Sequence, residues 1–118
     1  MNKDAKIFVE HVLECIERIE QYTAQVTKDE FLGSVQLQDA VIRRIEIIGE
    51  AVKNIPGKIK DRYQDIAWKE IAGMRDILIH QYFGVDLELT WKAAKEDIGQ
   101  LKTRMLKIKE DLQQNKRR

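Results

Sequence analysis

Apolar residues recur at alternating intervals of three and four along most of the chain, as on one face of an α-helix. The first stripe predicts a helix over about residues 3–25, and the second predicts one over about residues 34–55. The third predicts a helix over about residues 66–82. The last stripe runs without interruption and predicts a helix over about residues 87–113.

Turn signals separate these four predicted helices. Thr27-Lys28-Asp29-Glu30 matches a capping box and predicts a new helical turn at Thr27. Pro56-Gly57 ends the second helix because proline lacks the N–H that a helix needs, and a short helical turn is plausible at 58–63. Asp65 is the expected N-cap of the third helix, and Asp86 that of the last one.

Four amphipathic helices with short connections favour an all-α fold, an antiparallel four-helix bundle with one or two short extra helices. No internal repeat or long linker divides the 118 residues, so one domain over 1–118 is expected. Some aliphatic residues lie off the main stripes and predict a self-association surface, hence a homodimer. They are Ile42, Ile47, Ile77 and Ile79.

Composition narrows the possible surroundings and partners. The formal net charge is +1, from 21 basic and 20 acidic side chains, so any RNA contact must come from a local patch or a dimer groove. No stretch is long and apolar enough to span a membrane, and acidic residues interrupt the first 20 positions. With Cys15 as the single cysteine, these features fit a reducing cytoplasm and no membrane partner.

The commoner catalytic and cofactor signatures are absent from the sequence. It contains no GxxxxGK[ST], no GxGxxG after a strand, no CxxC and no HExxH. One cysteine and two histidines make a structural zinc site within one chain improbable. We therefore expect neither a metal nor a cofactor.

Candidate chemistry is concentrated in residues 73–82, where Arg75, Asp76, His80 and Tyr82 lie close together in sequence. Arginine offers planar paired donors to a phosphate, and histidine exchanges protons near neutral pH. The tyrosine hydroxyl can donate, accept or be modified. The spacing alone is a weak signal and favours an ordinary interpretation, in which these residues are solvated charges, a helix-terminal histidine and a packing tyrosine.

Helical geometry constrains how this cluster could work. On a regular helix Asp76 and His80 are i,i+4 neighbours, and Arg75 and Tyr82 share a face. Arg75 and His80 would point about 140° apart. Either the helix loosens near His80, or two copies of the segment meet across a dimer axis.

The pattern Arg-x4-His-x-Tyr at 75–82 resembles the signature of the HEPN superfamily, in particular its HepT-like toxin branch. The likeness extends to Ile48-Gly49-Glu50-Ala51, to residues 66–75, and to Phe83-Gly84-Val85-Asp86 with Trp91. It therefore covers nearly the whole chain and implies a HEPN-like helical bundle.

The resemblance also implies a function. It implies a dimeric, metal-independent endoribonuclease that acts on RNA, often tRNA, with Arg75 and His80 of both copies lining one cleft. It implies a cognate minimal nucleotidyltransferase antitoxin that neutralises the toxin by transferring AMP to Tyr82. In the family, the residue after the motif arginine is more often asparagine, and here it is Asp76. Its carboxylate would either disfavour a nearby phosphate or orient His80 by accepting the ring N–H.

Two alternatives belong to other functional classes. One is a non-catalytic helical module that docks a nucleotidyltransferase or a nucleotide, which the near-neutral charge permits. The other is a purely structural dimeric bundle. The sequence does not identify the RNA target, the cleavage position or the oligomeric state with an antitoxin.

Overall fold

The structure is a computed structural model that describes residues 2–80 and 84–116. Three long helical segments dominate it, and short helices and two short strands connect them. The elements are α1 (Asn2–Thr23), α2 (Lys28–Leu32), α3 (Val35–Lys53), α4 (Gly57–Arg62), α5 (Trp68–Ala72), α6 (Met74–Leu78), β1 (Ile79–His80), β2 (Gly84–Val85), α7 (Leu87–Lys92), a π-helical turn (Ala93–Asp97) and α8 (Ile98–Lys116).

The helices form because one face of each is apolar and that face is buried. Helix α1 packs against both α3 and α8, and the core lies between these three. The predicted stripes supply its centre, with buried residues that include Val12, Cys15, Ile19, Val41, Ile45, Ile48, Val52, Ile98, Leu101, Met105, Ile108 and Leu112. The predicted all-α fold class is therefore confirmed.

Local capping signals account for several helix starts. The Thr27 hydroxyl accepts from the Glu30 N–H at 3.1 Å, and the Glu30 carboxylate accepts from the Thr27 N–H at 2.9 Å. The predicted capping box is thus confirmed. The Asp86 carboxylate accepts from the Leu89 N–H at 3.0 Å, which confirms Asp86 as the cap of the last helical segment.

The third predicted helix differs most from expectation. A continuous helix over 66–82 is wrong, since Gly73 separates α5 from α6 and helical structure ends at Leu78. The expected cap, Asp65, is not the N-cap; Ala67 is, without a side-chain hydrogen bond. Asp65 instead pairs with Arg104 on α8, a contact that local sequence cannot reveal.

A short antiparallel pairing follows α6. Ile79 pairs with Val85, and His80 pairs with Gly84. Gly84 has φ = +80°, a backbone conformation that other residues rarely adopt, so glycine suits this position. Asp86 follows β2, and its N–H donates to the Leu78 carbonyl at 2.7 Å.

The last helical segment is continuous but not uniform, since residues 93–97 form a π-helical turn. Ala93 and Ala94 are both buried there. Among the helices of the described residues, none combines the length and the hydropathy that a membrane crossing requires.

Candidate active site around Arg75 and His80

Arg75 is the second residue of α6, two positions after Gly73, which separates α5 from α6. Its side chain is 46% exposed, and Nε lies 2.7 Å from Oε2 of Glu46 on α3. This ion pair joins α6 to a core helix. The guanidinium of Arg75 is therefore held at one edge and open to solvent at the other.

Glu46 is a residue that the sequence analysis did not single out. Its Oε1 accepts from Nη1 of Arg43 at 2.6 Å, so one carboxylate contacts two guanidiniums. The hydrogen bond from Arg43, together with the positive charge of Arg75, lowers the pKa of the Glu46 carboxyl. Glu46 is therefore ionised at neutral pH.

The close approach of α3 and α5 determines where α6 lies. Gly49, one turn after Glu46 on α3, faces the backbone carbonyl of Ala72 at the end of α5. Leu78, at the end of α6, is buried in the core. Arg75, between these two fixed points, reaches the side of α3 that presents Glu46.

Asp76 points into solvent and is 84% exposed, with Oδ1 3.7 Å from Nη1 of Arg75. The predicted i,i+4 contact with His80 relied on a helix that continued past both residues. That premise is wrong because the helix ends at Leu78. The role of Asp76 in orienting His80 stays a prediction.

His80 lies on β1, two residues beyond the end of α6. Its backbone pairs with that of Gly84 on β2. Because the helix ends before His80, the angle of about 140° between Arg75 and His80, which assumed a regular helix, does not apply. This agrees with the first of the two alternatives, a helix that loosens near His80. The arrangement across a dimer stays a prediction, and Tyr82 lies outside the described residues.

A groove of about 510 Å³ lies between α5–α6 and the last helical segment. Its walls are mostly apolar, and Met74, Ile77 and Leu78 contribute from α6. Acidic side chains outnumber basic ones in the lining: Asp65, Glu70 and Asp97 against Arg104. An acidic rim repels phosphate, so the phosphate-binding candidate is the Arg75 surface and not this groove.

Within residues 2–80 and 84–116, no three His, Cys, Asp or Glu side chains are grouped as metal ligands would be. The second histidine, His11, is exposed on α1.

Comparison with known proteins identifies several relatives. The chain is 60% identical over 116 residues to a Methanocaldococcus jannaschii protein named "Gamma-glutamylcyclotransferase and putative RNase"; the match covers 98% of this chain but only 52% of that relative. It is 47% identical to the "Probable ribonuclease HepT" of Thermococcus cleftensis, over 92% of this chain and 99% of the relative.

A more distant relative is a "Putative RNase" of Caldanaerobacter subterraneus subsp. tengcongensis, 38% identical over 97% of this chain and 99% of the relative. No solved structure matches the chain significantly. The family model described as "Ribonuclease HepT-like" matches residues 12–108, which include Glu46, Arg75 and His80. The chain belongs to the HepT-like ribonuclease family.

Proposed function

We propose that this protein is a metal-independent endoribonuclease whose working residues are Arg75 and His80. The observation that supports this most directly is the Arg75 guanidinium, which Glu46 holds at Nε while the side chain stays 46% exposed. The family match spans this segment, and the relatives named above are named as ribonucleases. An exposed, oriented guanidinium is suited to a phosphodiester.

RNA supplies its own nucleophile, so the reaction needs proton transfer and charge stabilisation. The 2′-oxygen attacks the adjacent phosphorus, and the bond from phosphorus to the 5′-oxygen breaks. His80 takes the 2′-hydroxyl proton as general base, and a second His80 gives a proton to the leaving 5′-oxygen. Arg75 stabilises the charge on the phosphoryl oxygens. The products carry a 2′,3′-cyclic phosphate and a 5′-hydroxyl.

Two copies of His80 require a homodimer, and the described surface supports one. Ile77, between Arg75 and His80 in sequence, is an apolar side chain that is 50% exposed. Covering it with the same residue of a second copy would bring both 75–80 segments together across a two-fold axis.

The cellular role proposed for this enzyme is that of a toxin in a toxin–antitoxin pair, with tRNA as the expected substrate. Its partner would be a minimal nucleotidyltransferase antitoxin that transfers AMP to Tyr82. An added AMP would block RNA by its volume and by the repulsion between its phosphate and the RNA backbone.

The test is cleavage of total tRNA by the purified chain in EDTA, with mapping of the cut ends. We expect cleavage by the wild type and its loss in Arg75→Ala and His80→Ala. Arg104→Ala is the matched control. Arg104 is 42% exposed and pairs with a carboxylate, that of Asp65, but it lies on α8, away from Arg75 in sequence. Loss of cleavage in EDTA that added divalent metal restores would contradict the mechanism.

The acidic, apolar groove favours a second candidate function, a non-catalytic module that docks a protein partner. In that case the purified chain would not cleave tRNA but would bind a nucleotidyltransferase tightly. Groove substitution Met74→Glu would then abolish binding, whereas Arg75→Ala would not.

A further inference from the structure

The Arg75 side chain shares its carboxylate with a second arginine. Glu46 contacts Arg43 through Oε1 at 2.6 Å and Arg75 through Oε2 at 2.7 Å. Arg43 lies three residues before Glu46 on α3, whereas Arg75 reaches it from α6. One carboxylate thus contacts two guanidiniums that come from different helices.

The exposures show which parts of this cluster remain free. The Glu46 side chain is 32% exposed, whereas those of Arg43 and Arg75 are 66% and 46% exposed. A guanidinium has five N–H donors in a fixed fork, and contact with Glu46 involves one nitrogen of each arginine. Nη1 of Arg75 also lies 3.7 Å from Oδ1 of Asp76, which is too long for a hydrogen bond, so donors of both arginines are available for another acceptor.

The donors of the cluster identify the acceptor. With Asp76 included, two guanidiniums face two carboxylates and the formal charges balance. Because both arginines are partly exposed, their remaining N–H donors fit an anion with oxygen acceptors, such as a phosphodiester. We propose that Arg43 and Arg75 form a two-arginine RNA phosphate-binding element in which Glu46 is the positioning residue. The expected effect on cleavage rests on the proposed nuclease function. The expected effect on phosphate binding does not depend on cleavage.

Glu46 contributes by ordering Arg75 before RNA arrives. A free arginine side chain samples many rotamers, and it loses that freedom when it binds a phosphate. The contact at Nε restrains the plane of the Arg75 guanidinium in advance, so less freedom is lost in the complex. Removing the Glu46 charge therefore impairs orientation while it reduces repulsion of RNA.

The variants are Glu46→Gln and Arg43→Gln, with Glu50→Gln and Lys53→Gln as controls. Glu50 and Lys53 form an ion pair three residues apart on the same helix, as do Arg43 and Glu46, with their charged atoms 3.4 Å apart. Circular dichroism spectra verify that each variant is folded. Cleavage kinetics are measured on tRNA, and binding is measured on a single-stranded DNA oligonucleotide that lacks the 2′-hydroxyl.

We expect Glu46→Gln to lower kcat about tenfold or more without raising KM, because a misplaced group stabilises the transition state poorly. We expect Arg43→Gln to raise KM with kcat little changed. For oligonucleotide binding by Arg43→Gln, the magnitude of the slope of log affinity against log salt concentration should decrease by about 0.7, the value for one single-strand phosphate contact. Arg43→Lys should restore that slope, and both controls should match the wild type.

The outcomes separate this proposal from the nuclease proposal. If the wild type cleaves and Arg75→Ala does not, but Glu46→Gln and Arg43→Gln behave like the wild type, the two-arginine element is wrong and the nuclease stands. If the wild type does not cleave, the nuclease proposal fails, and the oligonucleotide-binding measurements alone test the two-arginine element. An unchanged salt slope in Arg43→Gln then overturns the element, and a reduced slope supports it.

Discussion

Gly49 on α3 lies so close to Ala72 at the end of α5 that a Cβ at position 49 would stand 2.8 Å from the Ala72 carbonyl oxygen. A backbone oxygen cannot rotate away as a flexible side chain does. Gly49→Ala must therefore push α5 and the attached α6 off α3, and it would move Arg75 away from Glu46.

We expect Gly49→Ala to lower the free energy of unfolding by about 1–3 kcal/mol, although alanine is the better helix former. Gly99→Ala is the control, because Gly99 is exposed in α8 and a Cβ there meets no atom within 4 Å. That change should raise the free energy of unfolding by up to about 1 kcal/mol. Urea unfolding followed by circular dichroism measures both; equal stabilisation would contradict the close packing.

Asp76 places a carboxylate oxygen 3.7 Å from Nη1 of Arg75, where a phosphate would bind. Asp76→Asn removes the charge and keeps the shape, so we expect KM for tRNA to fall about threefold with kcat unchanged. Asp61→Asn, an exposed acid on α4, should change neither constant. A lower kcat in Asp76→Asn would instead assign Asp76 to orienting His80.

Asp86 links the end of α6 to the start of α7. Its N–H donates to the Leu78 carbonyl, and its side chain caps α7 at the Leu89 N–H. Asp86→Ala should lower the free energy of unfolding by about 1 kcal/mol, because the helix N-terminus loses its acceptor. Asp86→Asn retains an oxygen acceptor and should lower the free energy of unfolding by only a few tenths of a kcal/mol. Thermal and urea unfolding of the three proteins would test this order.

Tyr63 donates its hydroxyl proton to the Asp111 carboxylate on α8. Burial, then this hydrogen bond and the Asp111 charge, raise the pKa of Tyr63 from 10.0 to about 12. The folded state thus keeps a proton that the unfolded state loses first. The stabilisation is complete below the unfolded pKa and is lost as pH rises through the folded one.

Tyr63→Phe should therefore be less stable than the wild type by about 1 kcal/mol at pH 7. The difference should shrink as the pH rises from about 10 to about 12, while lysine titration affects both proteins alike. Urea midpoints at several pH values measure it. A difference that grows with pH would show that the hydroxyl is not held in its protonated form.

Residues 66–82 show why the sequence predicted the bundle but not the local form of the site. The apolar stripe through Ile71, Met74 and Leu78 is helical in period, and the segment does pack on its apolar side. The helix ends at Leu78, and the next residue, Ile79, pairs with Val85 on β2. Such pairing depends on where the chain returns, which periodicity does not encode.

The same limit applies to Glu46. Sequence identified Arg75, since arginine and histidine at that spacing resemble a known motif, but no spacing rule connects position 46 with position 75. On α3 alone, Glu46 has the local pattern of a surface acid paired with Arg43 three residues away. Its contact with Arg75 depends on how α6 packs against α3, which is a feature of the tertiary structure.

Arg75 belongs to a helix of only five residues, whereas its carboxylate partner belongs to a core helix of 19. Short helices with little buried surface open at a lower free energy than the core does. Amide hydrogens of α5 and α6 should thus exchange with deuterium before those of α1 and α3. Heating would then release Arg75 from Glu46, and with it the proposed phosphate contact, while the three long helices are still folded.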